Sequence, residues 1–261
     1  GSSSSHVLEE NELDRLLQTV RRSLRWSENI AKATPSTGDI PVIFTPRGFA
    51  ATLLHPLLSG FNGKNVVNES SPLCERWGEK IVDENISVYD NPLIGGASGS
   101  RPFDDEGVAS SKTALIEKGI AGQPLLDLQP AGRLGKLSTG AAGRGLATTP
   151  APSSSVIDVA AGDTHFEDMI AGIKEGLIVE ELLGAGQGNE LGGDFRANVS
   201  LGYRIANGEI VGRVKDTMVS GNVYSVLSQV EYIGDSPEWI FGSLRSPAIQ
   251  CRGVEVATKS E

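Results

Sequence analysis

The side chains best suited to holding a transition metal or attacking a substrate are few and scattered: His6, His55, His165, Cys74 and Cys251. No C-x-x-C pair occurs, so the usual two-cysteine half of a zinc site is missing. His165 lies within Thr164-His165-Phe166-Glu167, where Thr164 and Glu167 have the spacing of a helix capping box. His55 precedes Pro56 in an apolar helical stretch and reads, by itself, as a histidine packed at a helix bend. Cys74 and Cys251 read as small buried hydrophobes. There is no G-x-S-x-G elbow for a nucleophilic serine. Gly140-Ala141-Ala142-Gly143-Arg144 does not meet the G-x-x-x-x-G-K-[ST] requirement of a phosphate loop. Asp104, Asp105 and Glu106 gather three carboxylates that a hard cation would accept. Bounded by Pro102 and Gly107, they read better as the solvated charges of a turn.

The elements around these residues are clearer than the chemistry. From Gly184 to Gly193 five glycines fall within ten residues, at 184, 186, 188, 192 and 193. Phe195, Ala197, Val199, Leu201, Tyr203 and Ile205 then alternate with polar or small residues, the period-two pattern of a strand with one buried face. Asn207-Gly208 supplies the positive φ angles of a type I′ hairpin turn, and a weaker strand follows from Glu209 to about Val219. Asn222 then caps a helix with Val223, Val226, Leu227 and Val230 on one face.

Upstream, a helix is predicted from Glu9 to about Ala33, with Leu13, Leu16, Leu17, Val20 and Leu24 as its apolar stripe. Arg21, Arg22 and Arg25 fall off that stripe as a solvated or ion-pairing face. Thr34 to Gly38 reads as a linker. Pro41 to Thr45 is a short buried strand, and Pro46 opens a helix that bends or restarts at Pro56. Ser59 to Gly63 breaks it, and a short helix is expected around Cys74 to Trp77. Residues 85–128 read as strands and turns with a hairpin at Lys118-Gly119. A helix begins after Thr164 and stops at Gly176, and Leu177 to Leu183 is a fully buried strand. Ile249 to Val256 is a closing strand.

Composition narrows the class. The chain has 261 residues, 39% hydrophobic, enough to bury a substantial core. Thirty-two glycines and few aromatics favour strands and turns over a helical bundle. With 33 acidic against 23 basic residues the net charge is −10, which argues against a nucleic-acid-binding surface. No apolar run is long enough for a membrane helix. Gly1 to His6 does not have the pattern of a signal peptide. Two distant cysteines make no disulfide framework, so a reduced, cytoplasmic setting is expected.

Three stretches together resemble the C-terminal region of the TldD/PmbA family, subunits of a bacterial and archaeal metalloprotease historically called modulators of DNA gyrase. They are D-F-R-A-N-V-S-L-G-Y-x-I-x-N-G-E-I from Asp194 with V-S-G-N ending at Asn222, P-F-D-x-E-G-V from Pro102, and the run Ala131 to Gly143. The resemblance covers residues 9–261. It implies an α+β fold with curved, mainly antiparallel sheets curling toward a barrel and a few packed helices. It divides the chain into a helical arm and linker (residues 1–40) and the C-terminal domain (residues 41–261). The family's N-terminal α/β domain has no counterpart here, which is expected of a fragment, a cleaved form or a short paralogue.

The active branch of that family carries H-E-x-x-x-H and a late cysteine as zinc ligands. The matching positions here are His55, Pro56 and Gly60, with Cys251 near the cysteine's place. The general base and one ligand are thus replaced, which matches the PmbA/TldE branch. The resemblance therefore implies no catalytic residue and no cofactor in this chain, with zinc expected only in a TldD-type partner. The implied function is a non-catalytic subunit that helps bind unfolded peptide for that partner. Backbone around Gly192, Gly193, Asp194, Arg196, Asn198 and Ser200 would pair with an extended peptide as an added strand. The alternative for these glycines is that they only allow close packing. The alternative for the chain is a self-associating regulatory module, a ligand of gyrase or of a toxin–antitoxin pair, with no proteolytic role. The partners implied are a TldD-type subunit or a second copy, and an extended peptide; nucleic acid and membrane are not.

Overall fold

A computed structural model describes residues 10–184 and 188–259. Its seven helices among these residues are α1 (Glu10–Trp26), α2 (Pro46–Thr52), α3 (Leu54–Phe61), α4 (Gly63–Val67), α5 (Leu128–Leu134), α6 (Phe166–Ala171) and α7 (Val223–Leu227). Most of the chain is strand and turn. A ten-stranded, mainly antiparallel sheet curls into a half-barrel, and a six-stranded sheet packs beside it. The α+β reading holds. No helix among the described residues is long and apolar enough to cross a membrane.

The centre of the large sheet is the pair formed by Glu175–Leu183 and the long strand Asp194–Ala206, joined antiparallel, with Val42–Phe44 added parallel to the first. Alternation along these strands feeds two cores. Val42, Phe44, Leu177 and Val179 point into the larger one, shared with α2, α3 and α7. Ile43, Ile178, Tyr203 and Ile205 point to the opposite face, under α6 and Trp26. The ladder skips Glu180, a bulge that strengthens the local twist.

Asn207 and Gly208 have φ of 52° and 80°, as the hairpin turn requires. The return strand is interrupted, however. Glu209–Val214 pairs with the upper half of the long strand, Asp216 takes a positive φ, and Thr217–Asn222 pairs with Asp194–Asn198. The closing strand likewise splits into Ile249–Cys251 and Glu255–Thr258. In both cases the buried positions change phase across the break: Gly212 and Val214 give way to Thr217 and Val219, and Ile249 and Cys251 to Val254 and Val256.

Several local expectations are corrected. The first helix ends at Trp26, and Ile30–Ala31 and Ser36–Thr37, part of the expected linker, are short strands of the large sheet. Leu13, Leu17, Val20 and Leu24 face solvent, while the Arg22 guanidinium lies 5.1 Å from the Trp26 ring and 3.7 Å from Glu180. The apolar stripe therefore points away from this domain. His6, Gly186 and the Leu16 side chain fall outside the described residues. Thr45 caps α2, accepting from the Gly48 amide at 3.2 Å, with Pro46 in the first turn. The restart comes at Leu54, which places Pro56 in the first turn of α3 at no cost in hydrogen bonds. Turns rather than a helix occupy residues 72–77. α6 begins after His165, with no side-chain cap, and ends at Ala171, so the Thr164 capping box does not form.

Candidate functional site

Some of the residues singled out in the sequence, His55, Gly60, Gly192, Gly193 and Asn222, meet at one junction, where α3, the turn Glu190–Gly192 and α7 converge. α3 presents His55 outward, with Nδ1 3.3 Å from a Glu190 carboxylate oxygen. One turn later Gly60 is buried. A Cβ at that position would fall 2.1 Å from Tyr224 Oη, closer than real Cβ atoms approach anything. Gly193, at φ +92°, meets the same ring at its edge: a Cβ there would be 2.8 Å from Tyr224 Cε2. The Tyr224 ring is therefore held between two glycines from distant stretches.

Asn222 builds this arrangement. Its Oδ1 accepts from the Tyr224 amide at 3.1 Å and caps α7. Its Nδ2 donates to the Gly192 carbonyl at 2.8 Å and to Asp194 Oδ1 at 2.9 Å, tying the helix start to the glycine turn. Tyr224 is 8% exposed, and among the described residues its hydroxyl has no hydrogen-bond partner. Burial pushes its pKa well above the usual tyrosine value. Asn222 was legible in the sequence as a cap. Tyr224 and Glu190 were not, because only the fold brings them to α3.

Cys251 is fully buried on a strand between Val42–Phe44 and Val230–Ile233. Its thiol faces the Val42 carbonyl at 3.7 Å, and burial raises its pKa far above that of a free thiol. A catalytic zinc takes three protein ligands and an open position. Here position 56 is proline, position 60 has no side chain and its space is filled by Tyr224. Among the described residues no three His, Cys, Asp or Glu side chains gather at metal-binding distance. These residues do not fit the family's zinc.

The candidate peptide-binding residues divide into two groups. Gly192 and Gly193 have their carbonyls occupied by Asn222 Nδ2 and the Val223 amide, the latter at 2.8 Å. Gly193 is therefore a packing glycine, and a bulky replacement there would strain the junction rather than report on peptide capture alone. Asn198 pairs with Leu183 on one side and Met218 on the other, and the Ser200 carbonyl accepts from Arg213 at 2.7 Å. The ladder to Glu175–Leu183 stops at Asn198, so among the described residues the long strand has no strand partner on that side over Asp194–Ala197. There Asp194 and Arg196 are exposed while Phe195 and Ala197 are buried.

The remaining candidates are structural. Asp104 is buried and accepts from the Glu106, Val108 and Ala142 amides, while Glu106 accepts from the Leu128 amide, so both shape a turn rather than sit solvated. Cys74 donates to the Val66 carbonyl at 3.6 Å. His165 is exposed and paired with Asp235.

Comparison with known proteins matches residues 37–258 to the PmbA/TldA metallopeptidase C-terminal domain. The crystal structure of TldE from Thermococcus kodakarensis superposes with a TM-score of 0.84 at 27% identity, over 94% of this chain and 56% of that one. A metalloprotease of Methanothermobacter thermautotrophicus is 29% identical over 90% of this chain and 51% of its own. Metalloprotease PmbA of Escherichia coli O157:H7 is 30% identical over 78% of this chain and 42% of its own. The chain spans about half the length of the curated relatives it matches.

Proposed function

The chain belongs to the PmbA/TldD metallopeptidase family, and from that membership we propose that it acts as a PmbA/TldE-type subunit without a catalytic centre of its own, presenting unfolded peptide to a zinc-bearing TldD-type partner. The observation that carries this reading is the state of positions 55–60: a histidine paired with Glu190, then proline, then a glycine whose side-chain space is taken by Tyr224. Without a carboxylate to accept a proton from metal-bound water and without a second histidine, the mechanism of a zinc peptidase has neither base nor full ligand set.

Peptide capture is assigned to the Phe195–Ala197 edge of the long strand, since the Asp194 amide already donates to the Asn189 carbonyl. An extended segment added there would form main-chain hydrogen bonds with little regard to its sequence. The exposed side chains of Asp194 and Arg196 flank that edge and would bias it toward peptides carrying both signs of charge.

The test is to assay cleavage of an unfolded peptide by this chain, by a TldD-type chain bearing H-E-x-x-x-H, and by a mixture of the two, each with and without chelator. Chelator-sensitive cleavage by the mixture at a rate above that of the TldD-type chain alone is the expected outcome. Cleavage by this chain alone, lost on chelation, would overturn the reading. No complex and no gain on mixing would favour the self-associating regulatory module.

A further inference from the structure

We infer that Tyr224 closes the space behind position 60, so that metal binding in this chain is blocked by packing and not only by the loss of ligands. The inference rests on the family equivalence of positions 55–60 but requires neither peptide nor partner.

The geometry is that of a slot with two glycine walls. Tyr224 Oη lies 2.1 Å from where a Cβ at Gly60 would be, and Leu73 Cδ1 lies at 3.3 Å. Any side chain at position 60, a histidine included, therefore requires the phenol to leave. The ring's movement is constrained, because its Cε2 and Cδ2 atoms lie close to Gly193 and its backbone amide is held by the Asn222 cap. Among the described residues, the hydroxyl that obstructs position 60 makes no hydrogen bond, although it is buried. An unsatisfied buried hydroxyl is unfavourable. It persists here because the ring's shape, joining α3, α7 and the glycine turn, contributes more than the hydroxyl loses. Read in the sequence alone, Gly60 is a lost ligand and Gly193 a glycine either for peptide pairing or for close packing; in the structure both leave the room that Tyr224 needs.

The cycle that tests this is Gly60→Ala, Tyr224→Phe and the double variant, compared by thermal unfolding of the isolated chain. Removing the hydroxyl leaves Tyr224 Cζ at 3.4 Å as the nearest ring atom to the new Cβ, an ordinary contact. Gly60→Ala alone is expected to lower Tm by roughly 5 °C or more, since overpacking of a tight core is destabilising. Tyr224→Phe should stay close to the parent, and the double variant should recover most of the loss. An equal loss with tyrosine or phenylalanine at 224 would overturn the slot.

The metal arm uses Zn²⁺ alone, titrated into Gly60→His and into Gly60→His/Tyr224→Ala. The second should bind at least about 10-fold more tightly, a difference of ~1.4 kcal/mol, and should lose that gain with His55→Ala. Equal affinities would overturn the claim that Tyr224 blocks the metal. Either failure would leave the subunit assignment to the cleavage assay, which reads a different quantity.

Discussion

Tyr203 and Tyr224 are buried on opposite faces of the large sheet, and the two are held by different means. Tyr203 is fully buried beneath α1 and α6, and its hydroxyl donates to Glu180 at 3.2 Å. Ser23 of α1 and Ser27 just after it also interact with that hydroxyl, and Arg22 of α1 lies 3.7 Å from Glu180. Tyr224 belongs to the larger core, and among the described residues its hydroxyl has no hydrogen-bond partner. On one face hydrogen bonding fixes the ring and anchors α1 to the sheet. On the other, shape alone fixes it, between two glycines. A polar network tolerates the loss of fit better than the loss of a partner; a shape-filled slot has the reverse sensitivity.

That contrast can be broken in four ways. The largest expected effect is Tyr224→Ala, which empties the slot and should destabilise the chain by about 3–5 kcal/mol, as aromatic truncations in cores do; a denaturant midpoint close to the parent would mean that the ring is not structural. Next, Tyr203→Phe leaves Glu180 buried without its hydroxyl donor and should cost about 1–3 kcal/mol at neutral pH, read from the same denaturation curves. Then Glu180→Gln tests the network by pH. Burial raises the Glu180 pKa above its ordinary 4.5, with Arg22 and the Tyr203 hydroxyl opposing the shift. A carboxyl that holds its proton more tightly when folded contributes stability below its unfolded pKa and loses it as pH rises through the folded value. The Gln variant should therefore gain relative to the parent between pH 4 and pH 7; a constant difference in Tm across that range would remove Glu180 from the account. The smallest effect is Tyr224→Phe, expected within about 0.5 kcal/mol of the parent because a buried hydroxyl without a partner contributes little that phenylalanine lacks.

The Glu180 bulge links the comparison to the candidate site. Register shifts around Glu180 twist the Glu175–Leu183 strand, and its ladder to the long strand stops at Asn198. Among the described residues, the edge proposed to receive peptide is the one that this early stop leaves without a strand partner. The polar face and the shape-filled face thus act on the same long strand from opposite sides, one at Tyr203 and the other through the glycine turn that precedes Asp194.

The family, the α+β class, the long strand, its Asn-Gly turn and the Asn222 cap were all legible in the sequence. Each depends on interactions among near neighbours, or on motifs long enough to be specific: alternation with period two, positive φ at Asn207 and Gly208, a side chain reaching its own helix start. Boundaries set by tertiary pairing were not legible. The strand breaks near Lys215 and Asp216, the early end of α1 and the unformed Thr164 cap each follow from what lies across the sheet. The orientation of α1 was missed for the same reason, since its periodicity marks an apolar stripe but not which side of the helix the domain takes. At the candidate site the sequence by itself determined which ligand types are missing, at Pro56 and Gly60. Only the tertiary structure decided what stands in their place, because a glycine carries no signal of what fills the space beside it. That space belongs to Tyr224, 164 residues further along the chain.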